Sequence, residues 1–92
     1  MENQIIHDKA AKKFVLKVND GGEAFIDYQE KDGVLHLVYS EVPEVYRGKG
    51  IGKELVLKTF DLLTKEGYKA KAVCGYVNAV RQRSEDWKDI IE

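Results

Sequence analysis

The sequence predicts an α+β fold of mixed α/β type: an antiparallel β-meander, then a β-α-β crossover, then C-terminal helices, in a single domain over residues 1–92. Three observations predict it. Apolar and polar residues alternate through the first half, punctuated by clusters of Asn, Asp and Gly. Helical spacing takes over from Ile51 to Leu63, and a second short alternating run, Lys69 to Cys74, follows it.

Taken in order, Ile5-Ile6-His7 offers a short leading strand. Lys13 to Val18 sets Phe14, Leu16 and Val18 against lysines, and Asn19-Asp20-Gly21-Gly22 supplies residues that tolerate positive φ in a tight reversal. Glu23 to Gln29 is the partner strand, Lys31-Asp32-Gly33 the next turn, and Val34 to Val42 a longer strand. Strict alternation puts Leu35, Leu37, Tyr39 and Glu41 on one side of that strand and Val34, His36, Val38 and Ser40 on the other. Both sides are largely apolar, so both are expected to be covered. Pro43 has no N–H to give a ladder, so pairing is expected to stop or splay there and leave a gap.

A helix follows from about Gly50 to Glu66, with Ile51, Leu55, Val56, Phe60 and Leu63 on one stripe and Gly67 as a left-handed terminator. Strand, helix, strand in this order implies a parallel pair, making the sheet mixed. Tyr76 to Arg83 reads as helical, and Ser84 with Glu85 and Asp86 opens a last turn through Trp87 and Ile91.

A chain of 92 residues buries about 60 to 65% of its unfolded surface around one core, so any active site is expected to be open and shallow. Hydrophobic content of 43%, charged content of 34% and a formal net charge of −1 argue against nucleic acid or an anionic membrane as partners. Met1-Glu2-Asn3-Gln4 carries no basic flank, and no apolar run is long enough to span a bilayer, which predicts a cytoplasmic protein. One cysteine, Cys74, rules out an internal disulfide framework, and His7 and His36 lack metal-cage spacing, so no metal is expected.

The chemistry is expected at the strand-to-helix junction, Arg47-Gly48-Lys49-Gly50-Ile51-Gly52. A helix start leaves backbone N–H groups without carbonyl partners, glycines allow a ligand to approach them, and Arg47, Lys49 and Lys53 add positive charge. Such a loop suits a phosphate-bearing ligand. A Walker loop fails, because Gly52-Lys53 is followed by Glu54 and Arg47 stands where its first glycine belongs. A dinucleotide fingerprint counted from Gly48 fails because Lys53 stands in place of its third glycine.

With its flanks, the segment Val42-Pro43-Glu44-Val45-Tyr46-Arg47-Gly48-Lys49-Gly50-Ile51-Gly52 resembles the Gln/Arg-x-x-Gly-x-Gly/Ala signature of GNAT-type N-acetyltransferases. Element order agrees, and the resemblance runs from Phe14 through Asp27-Tyr28 and Ser40-Glu41-Val42-Pro43 to Cys74-Gly75-Tyr76-Val77 and Trp87, as in the minimal single-domain subgroup. It implies a GNAT-like fold, acetyl-CoA as cosubstrate and an amine-bearing acceptor, either a small molecule or a protein amine. It also implies that the Val42 backbone pairs with the pantetheine arm while the amides of Gly48, Lys49, Gly50, Ile51, Gly52 and Lys53 hold the diphosphate, with Arg47 beside them.

Acetyl transfer needs a neutral nucleophile, a proton acceptor and donors facing the developing oxyanion. The resembling subgroup carries a cysteine at the position of Cys74, and a thiol there could accept the acetyl group or protonate the departing thiolate; the other reading is a small buried hydrophobe. Glu41 is a candidate base through water and Tyr39 a candidate donor; each has a plainer reading, as a solvated carboxylate and a packed aromatic. Tyr39-Ser40 departs from the His-Thr of the subgroup, and the usual tyrosine acid of larger enzymes falls on Val80, with Tyr76 a turn earlier, so no acid is assigned there. The leading function is an N-acetyltransferase acting through a ternary complex or through Cys74; the alternatives are a non-catalytic acyl-CoA-binding module and a structural protein with an idle loop. Oligomeric state and acceptor are not encoded in any motif.

Overall fold

The computed structural model describes residues 3–46, 48–88 and 90–92. Five strands form one sheet in sequence order: β1 (Gln4–Asp8), β2 (Lys13–Lys17), β3 (Glu23–Lys31), β4 (Val34–Glu41) and β5 (Lys69–Ala72). The first four pair antiparallel, and β4 with β5 is the parallel pair. Between them run a short 3-10 turn, Glu44–Tyr46, and α1 (Ile51–Lys65), and after β5 comes α2 (Gly75–Arg83).

The hairpins form where turn chemistry allows. Gly21 takes φ 99° between β2 and β3, and the β3–β4 reversal uses Asp32 at φ 53° and Gly33 at φ 79°, two consecutive positive values that match the twist of a two-residue hairpin. Helix α1 stops because Gly67 turns left-handed at φ 84°: its N–H reaches the Thr64 carbonyl at 3.0 Å and that of Tyr68 reaches Leu63 at 2.9 Å.

One core cluster joins Phe14, Leu16, Ile26, Tyr28, Leu35 and Leu37 of the sheet to Leu55, Val56, Phe60 and Leu63 of α1, Val77 of α2 and Ile91. The expectation that both sides of β4 are covered is corrected: Leu35 and Leu37 are fully buried, whereas Val34, His36 and Val38 on the other side stay half-exposed. The described helices contribute their buried residues to one cluster, on the Leu35 and Leu37 side of the strand.

A larger correction concerns β4 itself. Tyr28 pairs with Leu37 and Asp27 with Tyr39, so Val38 is an extra residue, a β-bulge. Strict alternation therefore fails beyond it. Ser40 pairs with core-facing Ile26, while Tyr39 and Glu41 lie opposite Asp27 and Phe25 on the outer side.

The bulge also moves the splay. Parallel pairing of β4 with β5 ends at Leu37 opposite Ala72, well before Pro43. The Leu37 carbonyl accepts from the N–H groups of both Val73 (3.0 Å) and Cys74 (2.8 Å), and from there the two chains diverge. Strand β5 stops two residues short of the sequence expectation, so that Cys74 becomes the N-cap of α2. Along the free side of β5, the Glu92 N–H donates to the Ala70 carbonyl at 3.0 Å and the Glu92 carbonyl accepts from Ala72. Among the described residues no helix is long and apolar enough to cross a membrane.

Candidate functional site

The divergence of β4 from β5 opens a cleft of about 560 Å³ that runs to the start of α1. Ser40 and Val42 line it from the strand side, Gly48, Gly50, Gly52 and Lys53 from the loop and first helical turn, and Tyr46 and Tyr76 from its flanks.

The loop's shape is set by two left-handed glycines. Gly48 at φ 80° and Gly50 at φ 78° occupy backbone that L side chains rarely adopt, and Gly50 is the N-cap of α1 without a side-chain cap. The Glu54 N–H donates to the Gly50 carbonyl at 3.0 Å, which leaves Ile51, Gly52 and Lys53 as the first-turn amides with no helical carbonyl to reach. Lys49 differs from its neighbours: its N–H donates to the Tyr46 carbonyl at 3.2 Å, so its amide is already used, and its exposed side chain is not among the residues lining the cleft. Gly52 is required for a different reason. A Cβ there would come within 2.5 Å of the Tyr76 hydroxyl and 3.0 Å of its ring, so glycine is what lets Tyr76 of α2 lie against the start of α1. Arg47 lies outside the described residues.

The loop is anchored from behind. Tyr46 is 6% exposed, and its hydroxyl donates to Asp20 in the β2–β3 turn, where Gly22 is so close to the ring that no side chain would fit. That hydrogen bond, with a further one from the Gly22 N–H, holds the Asp20 carboxyl below its usual range; the bond to Asp20 also pushes the Tyr46 phenol up, against a smaller opposing pull from the Gly22 backbone.

At the opposite end of the cleft, Ser40 Oγ lies 3.4 Å from Cys74 Sγ. Burial works against a thiolate at Cys74, but the Ser40 hydroxyl and the N–H groups of Val77 and Tyr76 at the start of α2 outweigh it, so the thiol sits below its ordinary value. Tyr39 and Glu41, the other two sequence candidates, are not on the cleft wall. They face the outer side of the same splay, where the Tyr39 hydroxyl donates to Glu41 Oε1 at 3.0 Å and the Phe25 ring lies 6.2 Å away. Glu41 is the main reason the Tyr39 phenol is held above its ordinary value, through that hydrogen bond and its charge, with Asp27 and Cys74 adding to it. Among the described residues no group of three or more His, Cys, Asp and Glu is arranged to hold a metal ion.

The structure thus brings Val42, Gly48, Gly50, Gly52 and Lys53 onto one cleft, sets Cys74 against Ser40 of its wall, buries the Ile51 side chain in the core at the start of α1, and turns Tyr39 and Glu41 outward. It adds Ser40, Tyr46 and Tyr76, which sequence reasoning left off the site. Ser40 was hidden by the bulge, for which Val38 carries no local signal. The signals for the tyrosines were their places, Tyr46 beside Arg47 and Tyr76 directly after the Cys74-Gly75 break.

Residues 13–90 match the family described as GCN5-related N-acetyl-transferase. Curated relatives similar to this chain include Protein NATD1 of Gallus gallus, 32% identical over 76 residues that cover 80% of this chain and 69% of the relative. Protein NATD1 of Homo sapiens is 30% identical over 76 residues, covering 80% and 67%, and that of Danio rerio 32% over 76 residues, covering 80% and 69%.

Proposed function

We propose that this chain, which belongs to the GCN5-related N-acetyltransferase family, transfers the acetyl group of acetyl-CoA to a primary amine. The observation that carries the proposal is the single cleft in which an amide-rich helix start and a splayed strand edge meet. The two ends suit the two parts of such a thioester. Amides of Gly48, Ile51, Gly52 and Lys53 offer donors to a diphosphate, which binds a helix N-terminus for the reasons any anion does. The Val42 backbone lies past the end of β4–β5 pairing, so its polar groups are available to the amides of a pantetheine arm.

That placement brings the thioester towards Ser40 and Cys74. In the direct route the amine nitrogen attacks the thioester carbonyl, the carbon–sulfur bond breaks, and the coenzyme sulfur leaves as a thiolate that takes up the proton lost by the amine. The protein's contribution is then orientation and hydrogen bonding to the developing charge. In the route through Cys74, its thiolate attacks first, the acetyl group passes from one sulfur to the other, and the amine then takes it from Cys74. The lowered thiol favours this second route by raising the thiolate fraction. Tyr39 and Glu41 line the outer mouth of the splay, so Glu41 is suited to accept a proton from an amine arriving on that side. A reducing compartment that holds acetyl-CoA, such as the cytoplasm, suits this chemistry and keeps Cys74 a thiol.

A second reading, a non-catalytic acyl-CoA-binding module, is favoured by one observation: among the described residues lining the cleft there is no histidine or carboxylate. Release of free thiol from acetyl-CoA across a panel of amines and peptides separates the two. Release that disappears in Gly50→Val supports the enzyme, and tight binding without release in the wild-type protein supports the module.

A further inference from the structure

The glycine loop is weakly constrained by its own sequence. Gly48 and Gly50 carry no side chain and Lys49 is exposed, so a loop of this composition held by nothing else would sample many shapes and lose that freedom when a ligand arrived. Among the described residues from Glu44 to Gly50, one side chain is hydrogen-bonded to a distant part of the chain, and it is that of Tyr46. The loop's backbone also turns on this residue: the Tyr46 N–H donates to the Pro43 carbonyl at 2.9 Å, and the Tyr46 carbonyl accepts from Lys49 at 3.2 Å.

We propose that Asp20, in the turn between β2 and β3, is a positioning residue for the coenzyme: through the Tyr46 hydroxyl it holds the glycine loop in the shape that presents its amides to the diphosphate. The proposal rests on the reading of the cleft given above. Asp20 is not itself among the residues lining the cleft, so it acts only through Tyr46, which is.

The turn is built as a fixed support. The Val18 N–H donates to the Gly22 carbonyl and the Gly21 N–H to the Val18 carbonyl, both at 2.9 Å. The Gly22 N–H donates at 3.0 Å to Asp20 Oδ1, the same oxygen that accepts from Tyr46. Asn3 ties this turn to α1: its Oδ1 accepts from the Asn19 N–H at 2.9 Å, its Nδ2 donates to Glu54 Oε1 at 3.1 Å, and its carbonyl accepts from Lys58 Nζ at 2.6 Å. The Asp20 carboxylate is therefore fixed relative to the helix that the loop opens. Gly22 completes the fit. Its φ is not left-handed, so backbone shape does not require glycine there; room for the Tyr46 ring and hydroxyl does.

Charge by itself argues the other way. Asp20 lies within electrostatic reach of Lys49, and a carboxylate beside a cation of the loop opposes an incoming anion, so its removal on charge grounds should help a diphosphate to bind. Support of the loop and charge thus predict opposite signs for one substitution.

The test is calorimetric titration of acetyl-CoA into the wild-type protein, Tyr46→Phe, Asp20→Ala and Asp20→Asn, each well below its unfolding temperature. Tyr46→Phe and Asp20→Ala should each bind about five- to tenfold more weakly, the scale of one charge-assisted hydrogen bond partly screened by water, and the double variant no more weakly than either alone. Asp20→Asn keeps an oxygen that accepts from the hydroxyl and should bind within about twofold of the wild-type protein. Residues that only stabilised the fold would move the urea midpoint and leave the affinity of the folded protein unchanged. Asp20 is exposed, so Asp20→Ala leaves the core intact whatever becomes of Tyr46→Phe. Unchanged affinity in Tyr46→Phe or Asp20→Ala, tighter binding by Asp20→Ala, or a loss in Asp20→Asn as large as in Asp20→Ala overturns the proposal while leaving the reading of the cleft intact. Failure of the wild-type protein to bind acetyl-CoA removes that reading and this one with it.

Discussion

Cys74 owes its lowered pKa to its neighbours, since its own partial burial pushes the other way. The Ser40 hydroxyl and the amides opening α2 favour the thiolate, so alkylation of Cys74 should show a pH midpoint below the ~8.5 of an ordinary cysteine. Ser40→Ala should move that midpoint up, and an unchanged profile would show that Ser40 does not act on the sulfur. The linkage has a definite sign. A depressed value stabilises the fold above the unfolded-state pKa, and that contribution is lost as pH falls through the folded-state value. At the loop, backbone shape outranks charge. A β-branched side chain at Gly50, φ 78°, has to distort the turn, whereas Lys49 contributes an exposed ammonium whose amide is already bonded to Tyr46. Gly50→Val should therefore weaken acetyl-CoA binding by about tenfold or more and Lys49→Ala by less than about fivefold, read by calorimetry. The reverse order would remove the amide-cradle assignment.

The elements do what their local sequences ask except at two places. Helix α1 keeps the expected stripe and the expected Gly67 stop, yet it buries Thr59, whose hydroxyl has no hydrogen-bond partner. An unpaired hydroxyl in an apolar core is a net loss, so Thr59→Val, close to the same shape, should raise stability by about 1 kcal/mol in urea unfolding. A loss instead would mean that the hydroxyl is satisfied in solution. The second place is β4, where inserting Val38 reverses the sides of Tyr39, Ser40 and Glu41 and ends pairing with β5 at Leu37. One extra residue thus makes the gap and selects Ser40, rather than Tyr39, to face it. Nothing in Val34 to Val42 announces a bulge, because Val38 suits a regular strand as well as an irregular one.

At the scale of the whole molecule, one core serves both the fold and the site. Phe60 is fully buried in α1 and its ring lies 5.8 Å from Trp87, so it ties the C-terminal turn to the body on which α2 and Arg81 depend. Phe60→Ala should cost about 3 to 5 kcal/mol, a large part of a total on the order of 5 to 15 kcal/mol, and denaturant midpoints would measure it. His7 shows the same economy of a small domain. Its side chain, 3% exposed, joins Glu66 Oε1 and the Tyr28 hydroxyl, each at 2.6 Å, and stacks on Phe14 at 4.2 Å, binding β1 to β3 and to the end of α1. In the sequence His7 is only an isolated histidine, since its partners lie 21 and 59 positions away.

Near neighbours along the chain are enough to set the reversals at Gly21 and at Asp32-Gly33, the stripe and termination of α1, and the glycine loop that opens it. Turn dihedrals, helix periodicity and missing first-turn carbonyls are all properties of a few consecutive residues. Long-range packing settles which side of β4 meets the cleft, that β5 parts from it at Leu37, that Ser40, Tyr46 and Tyr76 gather around one space, and that Cys74 lies against Ser40. Those outcomes depend on register between strands and on packing of one helix against another, and the pairing energy that settles them belongs to residues far apart in the chain.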